Sequence, residues 1–526
     1  MALLSSTPPA LRFSGMALTF ALAIAISPRV ARAQGNDLSA PTGGRTALMG
    51  NTGVALARDG AAPFLNPATI VRIQDERLAF SVNFYSLGLT HLSSLHQPGS
   101  VDASRFGNGT SGGTSVTEND FRVLPSTLCL FFTIGDIERL VDPTMPIDSP
   151  DRARRKKLAI CFASLESVDT SLTAESFLGT TSAGRTHQVS ALTDRWSRTY
   201  VGPTYSTYLT RDIAVGASLH GVYTYDSFGA SGSTIGFVTG GNALASNLAT
   251  SGSGHSLDLT ALVGATYHHG LATYGLSVRA PSFHVLGSYS GTFSESDTGA
   301  TTDSSVTSGT GSFMAAPPMR VAAGVGLELP KFRIEGDLAV DIPTSNVVTA
   351  KLDTVTSTLN GTTVAASSGH ETDVTSQRVA VNPSFGLEYL LRPSFGLLGG
   401  VSGNFSSIPG LHGEPSLGNV VQAKQSQVNA AFGIGSYSGA SELLVGLQLG
   451  YAWGDALAVN PYVVPNDFSV VTTYTYSAML VIAGATDLRT IVRAVERVKN
   501  AVETGDPEKA KTSSPAPSAP PTDTKQ

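Results

Sequence analysis

Leu329-Pro330-Lys331-Phe332-Arg333-Ile334-Glu335-Gly336-Asp337-Leu338-Ala339-Val340-Asp341 decides how the rest of the chain is read. From Lys331 onward the even positions are apolar or glycine, and most odd positions are charged. A period of two sends those sets to opposite faces of a sheet. In a soluble sandwich the apolar face would be the core; in a membrane barrel it faces lipid and the charges line the lumen. Residues 443–453 repeat the pattern, with Leu443, Val445, Leu447, Leu449, Tyr451 and Trp453 on one face and Glu442, Gly446, Gln448 and Gly450 on the other. The small inward residues are expected to leave lumen volume free.

The junctions decide between sandwich and barrel. Leu209-Thr210-Arg211-Asp212, His268-His269-Gly270, Leu329-Pro330-Lys331, Leu391-Arg392-Pro393 and Ser438-Gly439-Ala440 are tight, whereas the alternate junctions are long and rich in Gly, Ser and Thr. Short turns at one end and long loops at the other are the pattern of an outer-membrane barrel. The same alternation predicts fourteen strands, near 77–92, 120–134, 157–177, 197–210, 212–227, 254–269, 271–293, 317–330, 331–346, 376–391, 394–407, 424–438, 441–454 and 468–485. The long loops, at 93–119, 178–196, 228–253, 294–316, 347–375, 408–423 and 455–467, are assigned to the extracellular side, and the tight turns and the 135–156 segment to the periplasm. Tyr223, Tyr225, Tyr267, Tyr451 and Trp453 suit interfacial girdles.

Composition agrees. Charged residues are 14 % of the 526, against roughly 25 % in ordinary globular chains. No apolar run reaches the ~18 residues that a membrane-spanning helix needs, so a membrane reading requires a closed barrel, whose backbone groups all pair internally. A net charge of −6 without a basic stripe argues against nucleic acid as a partner. Residues 1–33 read as a secretory signal, with Arg12 in the basic region, an apolar core from Met16 to Ile26 and Ala31-Arg32-Ala33 as the cleavage form. An uncleaved anchor is the less favoured alternative, because the apolar run is short. Residues 34–76 precede the wall at 77–485; 486–506 suit an amphipathic helix, and the tail to 526 is expected to be disordered.

Two cysteines follow export, Cys129 and Cys161, both on the inward parity of consecutive strands. A cross-strand disulfide is geometrically open to them. Buried free thiols are preferred, because the intervening stretch leaves the register undetermined.

The stretch ahead of the wall carries a motif. Gly43 to Gly60 runs through Met49-Gly50, Ala55 and Asp59 into Asn66-Pro67-Ala68. This resembles the amino-terminal signature of the FadL-type family of outer-membrane transporters for long-chain fatty acids and other hydrophobic compounds. Met49, Gly50, Ala55, Asp59, Asn66, Pro67 and Ala68 match it in order and spacing. The resemblance implies an all-β transmembrane barrel of fourteen antiparallel strands, with residues 34–76 as a hatch in the lumen. It also implies a lumen pocket for hydrophobic ligands and sideways exit, with a kink suggested in the third strand. Pro67 independently favours a turn at Asn66, and shaping that turn is at least as good an account of Asn66, Pro67 and Ala68 as ligand contact. The chain departs from the family in running about forty residues past its last strand, which leaves either an internally recognised strand at Tyr474 to Leu480 or a different final strand.

A fatty acid needs cations for its carboxylate. Arg279 and Arg320 point inward on this parity, at similar heights in consecutive strands, and guanidinium pairs suit carboxylates. The competing account is that they neutralise inward carboxylates such as Glu328, Glu335 and Asp337. Val101, Phe106, Phe313 and Met314 are candidate ligand-catching loop residues. No His-Glu-x-x-His site, phosphate loop or cysteine metal cluster is present, and no enzyme activity, cofactor or metal is expected. His268-His269 reads as an exposed turn, and Asn108-Gly109-Thr110 and Asn360-Gly361-Thr362 as chance triplets in polar loops. The expected function is uptake of long-chain fatty acids or similar molecules by a monomer among outer-membrane lipids, with both termini periplasmic. Aromatic-hydrocarbon uptake and a non-transporting surface or adhesin barrel are the alternatives.

Overall fold

The computed structural model describes residues 42–73, 76–93, 116–134, 156–181, 184–237, 243–298, 302–315, 317–343, 347–367, 370–375, 378–407, 424–438, 441–460 and 467–488. The expected signal segment, the amphipathic helix beyond 488, the 135–156 segment, and the candidates Val101 and Phe106 lie outside the described residues.

Fourteen antiparallel passes form one closed wall. The first six are single strands: β1 (Arg77–Ser93), β2 (Val116–Ile134), β3 (Lys156–Thr181), β4 (Gly184–Tyr208), β5 (Ile213–Phe237) and β6 (Ala243–His269). The next four are broken into β7 (Ala272–Arg279) with β8 (Phe283–Thr298), β9 (Thr302–Phe313) with β10 (Met319–Glu328), β11 (Phe332–Ile342) with β12 (Val347–Leu359), and β13 (Thr362–Ser367), β14 (His370–Thr375) and β15 (Ala380–Arg392) together. β16 (Phe395–Asn404), β17 (Lys424–Tyr437), β18 (Ser441–Asn460) and β19 (Asp467–Asp487) complete the circuit, and β19 pairs with β1 to close it. Closure pairs the strands around the circuit, save where the β2–β3 ladder stops short.

The parity read from residues 331–341 is observed. Glu335, Asp337, Ala339 and Asp341 are buried toward the lumen, while Phe332 (40 % exposed) and Leu338 (48 %) face outward. The same outward face carries Phe80, Leu128, Ile160, Leu219, Val263, Val325, Phe385, Phe432 and Leu443, an apolar belt that only lipid can cover. Among the described residues, no helix is long and apolar enough to cross a membrane. β19 ends at the rim of tight turns where β1 begins, and Leu488 N donates to Glu76 O there at 3.0 Å.

The far rim differs from expectation. The stretches read as loops at 178–196, 228–253 and 294–316 are largely strand, as β3 to β6, β8 and β9 extend into tall hairpins. Their composition is rich in Gly, Ser and Thr, so the apolar alternation fades from the sequence, while the backbone ladder and the β-branched Thr residues hold the strands and one face still buries Phe228, Leu248, Tyr289 and Phe313. Asn360 (φ 50°) and Gly361 (φ 78°) make a tight hairpin turn between β12 and β13, which accounts for their triplet.

Candidate functional site

Residues 42–73 fold inside the wall as a plug. It comprises α1 (Arg45–Leu48), α2 (Ala62–Leu65) and a 3-10 helix (Pro67–Arg72). α1 packs against β16 to β19 and the 3-10 helix against β3 to β6, so the plug bridges the lumen.

Its grip on the wall comes from carboxylates. Asp337 Oδ2 accepts the Gly53 and Val54 amides at 2.7 and 3.0 Å, and Glu335 Oε1 accepts those of Ala55 and Leu56 at 2.6 and 2.9 Å. Two inward side chains of β11 thus hold four consecutive N–H groups. Arg58 and Arg72 both pair with Glu328. Glu388 of β15 receives Arg45 Nη2 at 2.5 Å, Arg333 Nη1 at 3.0 Å and the Tyr437 hydroxyl at 2.5 Å. Burial disfavours a charged Arg45, but the surrounding groups, with the Glu388 carboxylate foremost and Glu442 and Glu328 among them, together outweigh it and leave the guanidinium above its ordinary range.

The motif residues hold the plug in shape. Asp59 Oδ2 accepts Thr46 N at 2.8 Å, and Asp59 Oδ1 accepts Thr46 Oγ1 and Ala61 N at 2.9 and 3.1 Å. Asn66 is fully buried: its Nδ2 donates to Val54 O (2.6 Å) and Ala265 O (3.2 Å), and its Oδ1 accepts Ala68 N (3.1 Å). Pro67 opens the 3-10 helix, where a missing N–H costs nothing. Gly50 sits at φ +69°, against the backbone of Val401. Met49 lies against Gly386 and Gly400, whose bare backbones admit it. The inward glycines therefore make room for the plug rather than for an empty lumen: the side chain of Leu48 fills the space at Gly446.

Above the plug lies a small cavity, open on one side, with a volume of about 50 Å³. Phe64, Leu65, Leu165, Leu262, Ala322 and Ala339 supply its apolar lining. Arg279 and Arg320 line it too, directly opposite each other in the β7–β10 ladder. The carboxylate between them is Asp341, at 4.0 and 3.8 Å, and not Glu328, Glu335 or Asp337, which are engaged by the plug. Asp341 is on the same inward parity, two pleats further from the tight-turn rim than Asp337; only its height distinguished it. Arg279 also donates to Pro318 O at 3.2 Å. That bond holds the step between β9 and β10, where Ala315 N reaches Ser256 Oγ (3.3 Å) and Arg198 Nη2 reaches Ala315 O (2.9 Å). Phe313 is not an exposed ligand-catching residue. It is buried against Tyr289, Ala315, Ala350 and Leu352, while Met314 is half-buried.

One ladder of the wall stops beside this cavity. β2 and β3 pair only from Ile134–Lys156 to Thr127–Ala163. Beyond that point β2 continues along β1 and β3 along β4, with no pairing between β2 and β3 among the described residues. Both strands carry an irregularity at this height: the β1–β2 register slips at Ser126, beside Pro125, and the β3–β4 register slips at Leu165. A bulge bends its strand and ends pairing, and Pro125 has no N–H to give a ladder. The slip buries Leu165 in the cavity lining, beside Phe64. Just below, Cys129 and Cys161 are direct partners joined by a disulfide, so they are not the buried free thiols preferred from sequence. The ladder brings them together across the segment whose register the sequence leaves undetermined.

Fold and site together define a closed fourteen-stranded transmembrane barrel with a folded amino-terminal segment in its lumen and a cavity of mixed apolar and polar lining beside the end of the β2–β3 ladder. The solved structure of a monoaromatic hydrocarbon channel, TodX in a deltaS2 mutant form, superposes with a TM-score of 0.52 over 85 % of this chain and 99 % of that one, at 14 % identity. The CymD monoaromatic hydrocarbon channel gives 0.49 over 85 % and 97 % at 13 % identity, and a Pseudomonas aeruginosa FadL homologue 0.47 over 86 % and 99 % at 11 %. At these identities the shared property is the fold. No family profile and no curated protein matches the sequence.

Proposed function

We propose that this chain is an outer-membrane channel of a Gram-negative-type bacterium, which takes up hydrophobic small molecules and releases them sideways between β2 and β3. One observation carries the reading: the apolar cavity reaches Leu165, where the wall ladder ends, while the axial route beneath it is filled by the plug. A greasy solute leaving there meets lipid rather than water, which is the favourable direction for apolar surface. The tall hairpins face outward and the tight turns face the periplasm, by the usual asymmetry of such barrels. The wall closes on itself within one chain, so the channel is proposed to act as a monomer. The hydrocarbon channel that shares the fold supports the hydrophobic class of cargo.

Within that class, the pair Arg279 and Arg320 favours cargo with a carboxylate, such as a long-chain fatty acid. Asp341, within 4.0 Å of both, favours the second reading, an uncharged aromatic hydrocarbon. A deletion strain with and without the gene, supplied with labelled oleate and labelled toluene, separates them. Gene-dependent accumulation of oleate is the expected result. Accumulation of neither cargo in either strain would leave a surface or adhesin barrel as the better account.

A further inference from the structure

We propose that the Cys129–Cys161 disulfide fixes the lower margin of the β2–β3 opening and so limits the size of molecule that passes; the claim builds on the lateral-exit reading above. The ladder of these two strands ends at Thr127–Ala163, and the cysteines are the pair two positions below that free end. An antiparallel ladder frays from its open end, because terminal pairs have neighbours on one side only. Here fraying is opposed by a covalent tie. Five pairs lie beneath the cysteines, from Leu130–Ile160 to Ile134–Lys156. At about 3.3 Å per residue, their parting would lengthen the opening by roughly 16 Å.

The tie also has the plug behind it. Gly60 lies so close to Thr127 that a Cβ there would come within 2.7 Å of its Oγ1 and 3.7 Å of Cys129 Sγ. Ala57, Ala62, Ile70 and Ile73 of the plug pack with Cys129, Phe131, Ala159 and Cys161 in one apolar cluster. The seam, the plug and the cavity floor therefore meet at the disulfide. The rest of the wall is closed by hydrogen bonds alone among the described residues, and the covalent link stands beside the interruption between β2 and β3.

The test uses the full-length protein in lipid vesicles in three forms: oxidised wild type, wild type reduced with a membrane-permeant thiol, and the double variant Cys129→Ala with Cys161→Ala. The reduced form keeps the test decisive if the variant folds poorly. Amide hydrogen exchange is followed in residues 128–134 and 157–162. The expected result is exchange about tenfold faster there in both reduced and variant protein, with the β10–β11 ladder unchanged. Alongside, uptake of a straight-chain fatty acid is compared with that of a bulky polycyclic hydrophobe, and the ratio is expected to shift toward the bulky molecule. Unchanged exchange at the seam overturns the proposal. So does faster exchange spread equally over β10–β11, which would mark general destabilisation, and so does an unaltered size ratio with a frayed seam. If oxidised wild type takes up neither molecule, the transport reading fails and the size limit falls with it, while exchange alone decides whether the disulfide holds the margin.

Discussion

Asn66 is held at three points: two carbonyls accept from its amide nitrogen, and its oxygen caps the 3-10 helix at Ala68. Asn66→Ala removes all three bonds and leaves the Val54 and Ala265 carbonyls short of a donor inside the lumen. The expected cost is about 1–3 kcal/mol, read as a lower melting temperature of the purified barrel and faster proteolysis within residues 42–73, with the wall still resistant. Asp337→Asn together with Glu335→Gln replaces carboxyl acceptors by amides, each of which keeps a single accepting oxygen, at four consecutive N–H groups. Single-channel recording should then show more frequent ion-conducting openings, since the plug loses part of its grip; conductance identical to wild type would refute the anchoring role. The motif residues were legible as a turn because Pro67 restricts the residue before it. Their wall partners were not. Parity tells which way Glu335 points, but the amides it meets lie 280 residues away in sequence, in a segment with no periodicity of its own.

At the scale of elements, the wall was readable wherever one face met lipid and the other met the lumen. That condition holds from the tight turns to about the level of Arg279, and there β7, β10, β11 and β15 follow the expected alternation. It fails beyond, where Gly, Ser and Thr replace the apolar residues, and loops inferred from polar composition proved to be hairpins. It fails also at interruptions, because a bulge shifts parity by one residue without a composition signal. Leu165 is such a residue: Ser164 pairs with Thr199 and Glu166 with Arg198, leaving Leu165 without a position in the ladder. Deleting Leu165 should restore regular pairing, straighten β3 and remove an apolar side chain from the cavity lining. Uptake of hydrophobic cargo is then expected to fall while the heat-modifiable mobility of the folded barrel persists. Undiminished uptake by the deletion variant would argue that cargo leaves by another route.

At the scale of the whole molecule, the lipid-facing belt and the closed wall follow from composition and period, whereas the proposed preference for a carboxylate cargo rests on a charge balance beside the cavity. Arg279 and Arg320 sit side by side, with Asp341 within 4.0 Å of each. Replacing the arginines alone would leave Asp341 buried beside lost cations, and such a broken pair costs about 3–5 kcal/mol in its own right. A fall in uptake would then report misfolding as readily as lost recognition. The informative variant removes the group together: Arg279→Met, Arg320→Met and Asp341→Asn. Methionine keeps the volume and apolar stem, and asparagine keeps the shape of the carboxylate without its charge. If the arginines hold a cargo carboxylate by charge-assisted bonds of about 1.5–3 kcal/mol each, fatty-acid uptake should fall roughly tenfold or more. Toluene uptake, which draws nothing from a guanidinium hydrogen bond, should stay within about twofold in the same vesicles if apolar burial alone drives its binding. A parallel fall for both cargoes would assign the arginines to holding the Pro318 step and the wall around it, and an unchanged rate for both would remove them from recognition altogether.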